Sequence, residues 1–513
     1  MYLLQHLLEQ TAERTPEKTA LVCGAHRATY RALDDDANRL ADTLRGLGVA
    51  RGDRVVIFAD NTFETVLSVW AVLKCDAVFV VVNPQTRAEK LAYILNDCRA
   101  SVLISDAHLS GTFVEAARKT THLRGLIVSG DAKAITTQQP IVAFETARTA
   151  GRSEPTVPRA IGNDLAAIVY TSGSTGDPKG VMLTHTNMLF ASWSISTYLG
   201  MNANDVVLSV LPMAFDYGLY QMLLTFRVGG RLVLERSFTF PAPILKRIAE
   251  EKITGFPIVP TMSAIMGEMK NLAEFDFSSV RYVTNTAAAL PVTHITMLRE
   301  IFPTARVFSM YGLTECKRCT YLPPSELDRR PTSVGVAIPG TELWIVNEHG
   351  ARVEPGVVGQ LVIRGPHVMK GYWEKPEETE RRLHPGPLPN ESVLFTGDFC
   401  RLDDEGFLYF VSRMDDIIKS RGEKVSPKEV ENAIFAIDGV KECAVIGVPD
   451  AVLGQAVKAF VVMREGEEGR YTERDVVKLC GAALESFMVP KYVVFVPELP
   501  KTNTGKIRKS GLS

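Results

Sequence analysis

The sequence predicts an α/β protein: a large N-terminal domain of α/β subdomains plus a small β-barrel-like subdomain, followed by a small α+β C-terminal domain. Three observations predict it. Short apolar runs alternate with helical patterns through the first three hundred residues, the rhythm of βαβ units and a largely parallel sheet. After residue 340 the composition changes to short strands separated by glycine turns. A chain of 513 residues is also too long for one hydrophobic core. The expected domains are 1–414 and 415–513.

The elements follow in order. In MYLLQHLLEQTAERTPEK, Leu3, Leu4, Leu7 and Leu8 share one face of an amphipathic first helix. Gln5, His6 and Glu9 interrupt its apolar run, so it does not read as a signal peptide. Residues 36–48 read as a helix ending at Gly48, and RVVIFA (54–59) as a buried strand. NTFETVLSVWAVLKC is a helix, AVFVVVNP a strand, KLAYILNDCRA a helix and SVLISD a strand. Residues 131–160 are weakly patterned and carry Pro140, Pro155 and Pro158, so they read as a loop or edge excursion. The alternation resumes with DLAAIVY, VVLSVLPM, RLVLE, ITGFPIVP, RYVTN and RVFSMYG. TELWIVNEHG, GQLVIRG, FCRLDDEG and FLYFVSR then read as antiparallel strands with turns at Gly350, Gly365 and Gly406. From about Asp415, a last unit reads as helix PKEVENAIFAI, strands ECAVIGV and KAFVVM, helix TERDVVKLCGAALESF and strand YVVFV.

Composition excludes several functions. Hydrophobic residues make up 46% and charged residues 23%, ordinary for a soluble enzyme. The net charge of −2 offers no field for nucleic acid or an anionic membrane. The most apolar stretch, VWAVLKCDAVFVVV, is broken by Lys74 and Asp76 and is too short to span a bilayer. Eight cysteines are scattered, and the single C-x-x-C, Cys316 and Cys319, has no second pair at zinc-site spacing. It reads as accidental, and the sparse cysteines suggest a reducing cytoplasm.

One stretch carries phosphate chemistry. YTSGSTGDPKGV (170–181) follows the buried run DLAAIVY, and Met188, Ala191, Ile195 and Tyr198 then recur at helical spacing. Read this way, the loop lies between a strand and a helix, where backbone N–H groups and hydroxyls converge on anionic oxygens and Lys179 adds a positive charge. It lacks the G-K-[ST] ending of a P-loop.

TSGSTGDPKG resembles the signature loop of the adenylate-forming superfamily, which holds acyl-CoA synthetases, peptide-synthetase adenylation domains and luciferases. Further matches fall in the family's order: YGLTE at 311–315, GQLVIRGPHVMKGYW at 359–373, TGD at 396–398, SRMDDIIKSRGEKVSPKEVE at 412–431 and PKTNTGKIRK at 500–509. The resemblance covers essentially the whole chain. It implies an AMP-forming acid–thiol ligase that turns a carboxylic acid and ATP into an acyl-adenylate and then passes the acyl group to CoA. The alternative acceptor is the phosphopantetheine arm of an acyl carrier protein. The implied cofactors are ATP, Mg²⁺ and CoA.

The resemblance also implies roles. Thr171, Ser172, Gly173, Ser174, Thr175, Gly176 and Lys179 would embrace the β,γ-phosphates. Thr314 would donate to the α-phosphate, Glu315 would hold Mg²⁺, and Tyr311 with Gly312 would shelve the adenine. Asp398 would accept both ribose hydroxyls, a match between an acceptor-only carboxylate and a vicinal diol, with Arg413 reaching the same region. Lys506 would be the catalytic lysine. Asp415 would be the hinge that brings in either Lys506 or a thiol-binding segment with Lys419, Gly422 and Glu423.

The acid-binding region departs from many relatives. PMAFDYGLYQM places Phe215 and Asp216 where acyl-CoA synthetases carry P-x-x-H, so Asp216 is a candidate anchor for a substrate ammonium or a structural group. In NTAAALP, Thr286 and Ala287 stand where glycines are usual, which narrows the pocket and suggests a short or slim acid. Ser412 replaces the usual glycine before Arg413. Lys317 and Arg318 directly follow YGLTE, and either favour an anionic substrate group or face solvent.

Overall fold

Val78–Val82 is an unbroken run of valines and phenylalanine, and the neighbouring Arg54–Phe58 is apolar after its first residue. Strands of this kind, buried on both faces, belong in the middle of a covered parallel sheet, and the computed structural model of the protein places them there. It describes residues 2–171, 178–286, 290–416, 418–420, 423–450, 453–484, 486–501, 507–509 and 511–512, with the backbone alone at Asp415, Lys419, Glu423 and Lys424.

The chain divides into two compact units, one of residues 1–327, 337–342 and 363–394, the other of 328–336, 343–362 and 395–513. In the first unit, one sheet runs Gly371–Tyr372, Lys179–Thr184, Leu165–Thr171, Val78–Val82, Arg54–Phe58, Ala100–Asp106, Gly125–Ser129, Ile141–Ala143. It is parallel from Leu165–Thr171 to Ile141–Ala143. The other two strands pair antiparallel. A second sheet holds, in order, Thr320–Leu322, Arg306–Tyr311, Tyr282–Asn285, Gly255–Ile258, Val206–Ser209, Arg231–Leu234, Thr19–Cys23 and His26–Thr29. The helix Phe63–Lys74 is almost wholly buried, with Trp70 fully enclosed.

Two expectations shift. The helix read over 36–48 spans Tyr30–Gly46, because Thr29 accepts from the Ala32 N–H and caps it earlier than its apolar spacing suggests. The weakly patterned residues 131–160 hold a short strand, Ile141–Ala143, and a helix, Phe144–Ala150, anchored by buried Phe144 and Ala147.

In the second unit, strands Ser392–Leu402 and Leu408–Arg413 form a hairpin that pairs Asp398 with Arg413 and Leu402 with Leu408. Its C-terminal part is a sheet ordered Glu423–Val425, Ile418–Ser420, Gly454–Met463, Val440–Asp450, with Tyr492–Phe495 parallel to Gly454–Met463. Helices Pro427–Phe435 and Glu473–Ala483 cover it, and Val430, Ile434, Val476 and Cys480 pack with Val445, Val457 and Val461. The boundary expected at 415 lies inside this unit.

Candidate active site

The glycine- and serine-rich loop joins two antiparallel strands, with Thr171 opposite Lys179. This corrects the strand–loop–helix reading: Lys179–Thr184 intervenes, and the helix begins at His185 behind a capping box of Thr184 and Asn187. The physical reason lies at Gly180. A Cβ there would come within 2.6 Å of Ile168 Cγ2 and 3.4 Å of Trp373 Cβ, so only glycine lets the returning strand and the GYW segment close on the sheet. The Trp373 N–H donates to the Gly180 carbonyl at 2.7 Å. Thr171 Oγ1 donates to the Lys179 carbonyl at 3.4 Å. Ser172, Gly173, Ser174, Thr175 and Gly176 lie outside the described residues.

That strand pairing brings the loop's lysine to the YGLTE motif. Tyr372, on the added strand, donates its hydroxyl to Glu315 Oε1 at 2.8 Å, and Lys179 Nζ stands 5.9 Å from the centre of its ring. The Met369 N–H holds the Glu315 carbonyl at 2.7 Å. Burial and the adjacent Glu315 carboxylate push the Tyr372 phenol far above its usual range, so it stays protonated and donating. Lys179 Nζ also pairs with Glu378 at 2.5 Å, a carboxylate that an incoming phosphate would have to displace.

YGLTE itself sits in a tight reversal. Tyr311 ends the strand Arg306–Tyr311 and the Cys319 N–H returns to its carbonyl at 2.9 Å. A Cβ on Gly312 would lie 2.1 Å from the Lys317 carbonyl oxygen, so the fold-back requires glycine there. Tyr311, Gly312, Thr314 and Glu315 are half-buried, whereas residues 316–320 are buried.

The segment after the motif turns inward. Lys317 is 3% exposed and Arg318 is 1% exposed, which rules out the solvent-facing reading of both. Lys317 Nζ donates to Asp216 Oδ2 at 2.9 Å and lies 4.3 Å from the centre of the Tyr220 ring. Burial pushes its ammonium down to about 7, against the opposing pull of Asp216. Asp216 opens the helix Asp216–Val228 behind Phe215 at its N-cap, and Gly218 lets that helix approach: a Cβ there would meet the Pro212 carbonyl oxygen at 2.3 Å. The next residue, Tyr217, bonds Thr284 at 2.8 Å through both its carbonyl and its hydroxyl. Thr286 is buried just beyond, and Ala287 lies outside the described residues. Cys316 and Cys319 bring their sulfurs within 3.0 Å in full burial. Desolvation holds the Cys316 thiol well above its usual range, hence protonated and unreactive.

In the second unit, Asp398 is buried at the middle of the hairpin, with Arg413 Nε 3.8 Å from its Oδ1 and largely exposed. Gly397 adopts φ +73°, and Thr396 Oγ1 accepts the Asp398 N–H at 3.1 Å while donating to the Leu361 carbonyl at 2.9 Å. The TGD turn therefore fixes the carboxylate's base.

Comparison with known proteins identifies the frame that holds these groups. Residues 8–373 match the model of the AMP-binding enzyme family, and residues 429–506 match that of the AMP-binding enzyme C-terminal domain. The chain belongs to the AMP-binding enzymes. It is 33% identical to a long-chain-fatty-acid–CoA ligase of Bacillus subtilis (strain 168), over 99% of this chain and 94% of that one. The anthranilate CoA ligase AuaEII in complex with anthranoyl-AMP superposes with a TM-score of 0.90 at 27% identity, covering 99% of this chain and 95% of that one. ATP-bound MatB from Rhodopseudomonas palustris gives 0.88 at 28% identity, covering 99% and 97%.

For this AMP-binding enzyme, the structure brings together Thr171, Lys179 and Glu315 in the first unit, and Asp398 with Arg413 in the second. Lys506 and Gly422 lie outside the described residues, as do the side chains of Asp415, Lys419 and Glu423. Tyr372, in the GYW segment, and Glu378 carry no local signal of these contacts in the sequence. The pairing of GYW with the PKG strand is long-range, so no local pattern announces it. His185 is 1% exposed and accepts the Leu4 N–H at Nδ1, 3.1 Å away. Among the described residues, no helix is long and apolar enough to cross a membrane.

Proposed function

We propose that this AMP-binding enzyme is an acid–thiol ligase: it joins a carboxylic acid to AMP at the expense of ATP, then passes the acyl group to the thiol of CoA. The observation that carries this reading is the meeting of Lys179 and Glu315 on Tyr372, beside the ends of the phosphate-type loop. A cation and a carboxylate at one anion-binding loop suit a nucleotide polyphosphate with its divalent ion. A single half-buried carboxylate fits Mg²⁺, which keeps several waters and takes most remaining ligands from substrate phosphates. Glu315 would hold it, and the ion would supply charge neutralisation on those phosphates.

In the first step an acid oxygen forms a bond to the α-phosphorus while the bond to pyrophosphate breaks. Thr314 and Lys506 would face the growing negative charge, and Lys179 with Thr171, Ser172, Gly173, Ser174, Thr175 and Gly176 would hold the departing pyrophosphate. In the second step the thiolate sulfur bonds to the acyl carbon and the carbon–oxygen bond to AMP breaks. Asp398 and Arg413 would hold the ribose through both steps. Rotation about Asp415 would exchange Lys506 for the Lys419–Glu423 segment between them.

The test is ATP–pyrophosphate exchange across a panel of acids, with thioester formation on added CoA. Lys506→Ala should lower exchange by roughly two to three orders of magnitude, the scale of one lost oxyanion donor. Exchange in wild type without thioester on free CoA would reject CoA as acceptor and point to a carrier-bound thiol. Unchanged exchange in Lys506→Ala would remove the catalytic role of that lysine.

A further inference from the structure

Three segments meet where the acid-binding region was read from sequence: the N-terminus of the helix Asp216–Val228, the strand end Thr284–Thr286, and the residues after YGLTE. Their meeting point is charged. Lys317 and Arg318 bring two buried basic side chains, and Asp216, with 24% of its side chain exposed, is the carboxylate at the edge of the cluster. Among the described residues no carboxylate pairs with Arg318: its Nη1 donates to Met310 Sδ at 2.7 Å, its guanidinium lies 5.2 Å from the centre of the Tyr217 ring, and its buried Nε has no hydrogen-bond partner. Lysine and arginine only donate, and Asp216 already accepts from Lys317. The donor left without a partner is therefore Arg318 Nε, on a guanidinium that carries the cluster's fixed positive charge.

Such a floor has a clear preference. A long alkyl tail laid against it would strip water from a charged edge without replacing the lost hydrogen bonds. An ammonium would meet the Arg318 guanidinium at close range. A carbonyl, hydroxyl or carboxylate would take up the donors.

We propose that the acid taken by this enzyme is short and ends in a hydrogen-bond acceptor or a second anionic group, with Lys317 and Arg318 reading that end. This rests on the acid–thiol ligase reading. Lys317 and Arg318 act here as specificity residues, with Asp216 holding Lys317 in place; the reacting atoms lie elsewhere.

The experiment measures pyrophosphate release by the full-length wild-type enzyme with ATP, Mg²⁺ and CoA. The acids are succinate, levulinate, γ-hydroxybutyrate, γ-aminobutyrate, hexanoate and hexadecanoate. The expected result is turnover of an acceptor-ended acid with kcat/KM on the order of a hundredfold above hexanoate, since sites built around hydrogen bonds reject analogues lacking them strongly. Hexadecanoate and γ-aminobutyrate should fall below that again. A second arm uses the Asp216→Leu/Lys317→Met double variant, because a buried ion pair is replaced by apolar residues at little cost in stability. There the preference should move toward hexanoate through KM. Preference of the wild type for hexadecanoate or γ-aminobutyrate, or an unchanged preference in a folded double variant, overturns the proposal and leaves the ligase reading standing. No release with any of these acids also overturns the proposal, and wild-type ATP–pyrophosphate exchange across a wider panel of acids then tests the ligase reading separately.

Discussion

At the scale of single residues, Tyr372 has the largest consequence for its size. Its hydroxyl fixes one oxygen of Glu315 at 2.8 Å, and its ring faces Lys179. A carboxylate that is to share a divalent ion with phosphates must point in one direction before the ion arrives. Tyr372→Phe keeps the ring and removes that constraint. A hydrogen bond to a charged group contributes about 1.5–3 kcal/mol, so the magnesium concentration for half-maximal exchange should rise roughly tenfold or more. The rate at saturating magnesium should change less, since Phe leaves the carboxylate in place. Magnesium titration of pyrophosphate exchange checks this, and an unshifted titration would reduce Tyr372 to a packing residue.

At the scale of elements, the reversal 311–319 joins the YGLTE motif to the charged cluster. It closes because Gly312 has no Cβ to strike the Lys317 carbonyl and because Lys317 accepts φ +60°. Gly312→Ala forces 2.1 Å apart, which the backbone must relieve by opening the turn. Overpacking of this kind costs about 1–3 kcal/mol, and the displacement falls on Glu315 and Lys317 together. The variant should fold with a lower urea midpoint, lose most exchange activity, and lose discrimination among acids in the same step; activity equal to wild type would show that the turn tolerates opening. The motif YGLTE was legible in sequence because its residues are contiguous. The ion pair was not, because Lys317 and Asp216 are 101 positions apart and either could equally face water. The strand after the phosphate-type loop was missed for a related reason. KGVMLT pairs with residues 165–171 and 371–372 at once, and Gly180, which makes that closure possible, looks like an ordinary loop glycine when read locally.

At the scale of the molecule, the first unit buries two histidines and a lysine whose charged forms burial disfavours, and this sets how stability depends on pH. His185 and His367 are each 1% exposed, and burial lowers both to about 4. Neither nitrogen of His367 has a hydrogen-bond partner, so nothing offsets its desolvation. Between pH 4 and the ordinary histidine value of 6.5, the unfolded chain binds protons that the folded chain refuses. Stability must therefore fall as pH drops through that window. A shift of this size corresponds to about 3 kcal/mol per histidine by pH 4, against a total stability of roughly 5–15 kcal/mol. Lys317 has the same sign at higher pH: its folded value of about 7 lies below the ordinary 10.5, so its cost is greatest below pH 7 and declines as pH rises toward 10.5. The unit should accordingly lose stability progressively in mild acid. His185→Asn retains an acceptor for the Leu4 N–H, and His367→Leu fills apolar space beside Phe190. In the double variant the urea midpoint should fall much less between pH 6.5 and 4 than in wild type. If the two proteins lose stability in parallel over that interval, the acid sensitivity comes from carboxylates, and the buried histidines are not its source.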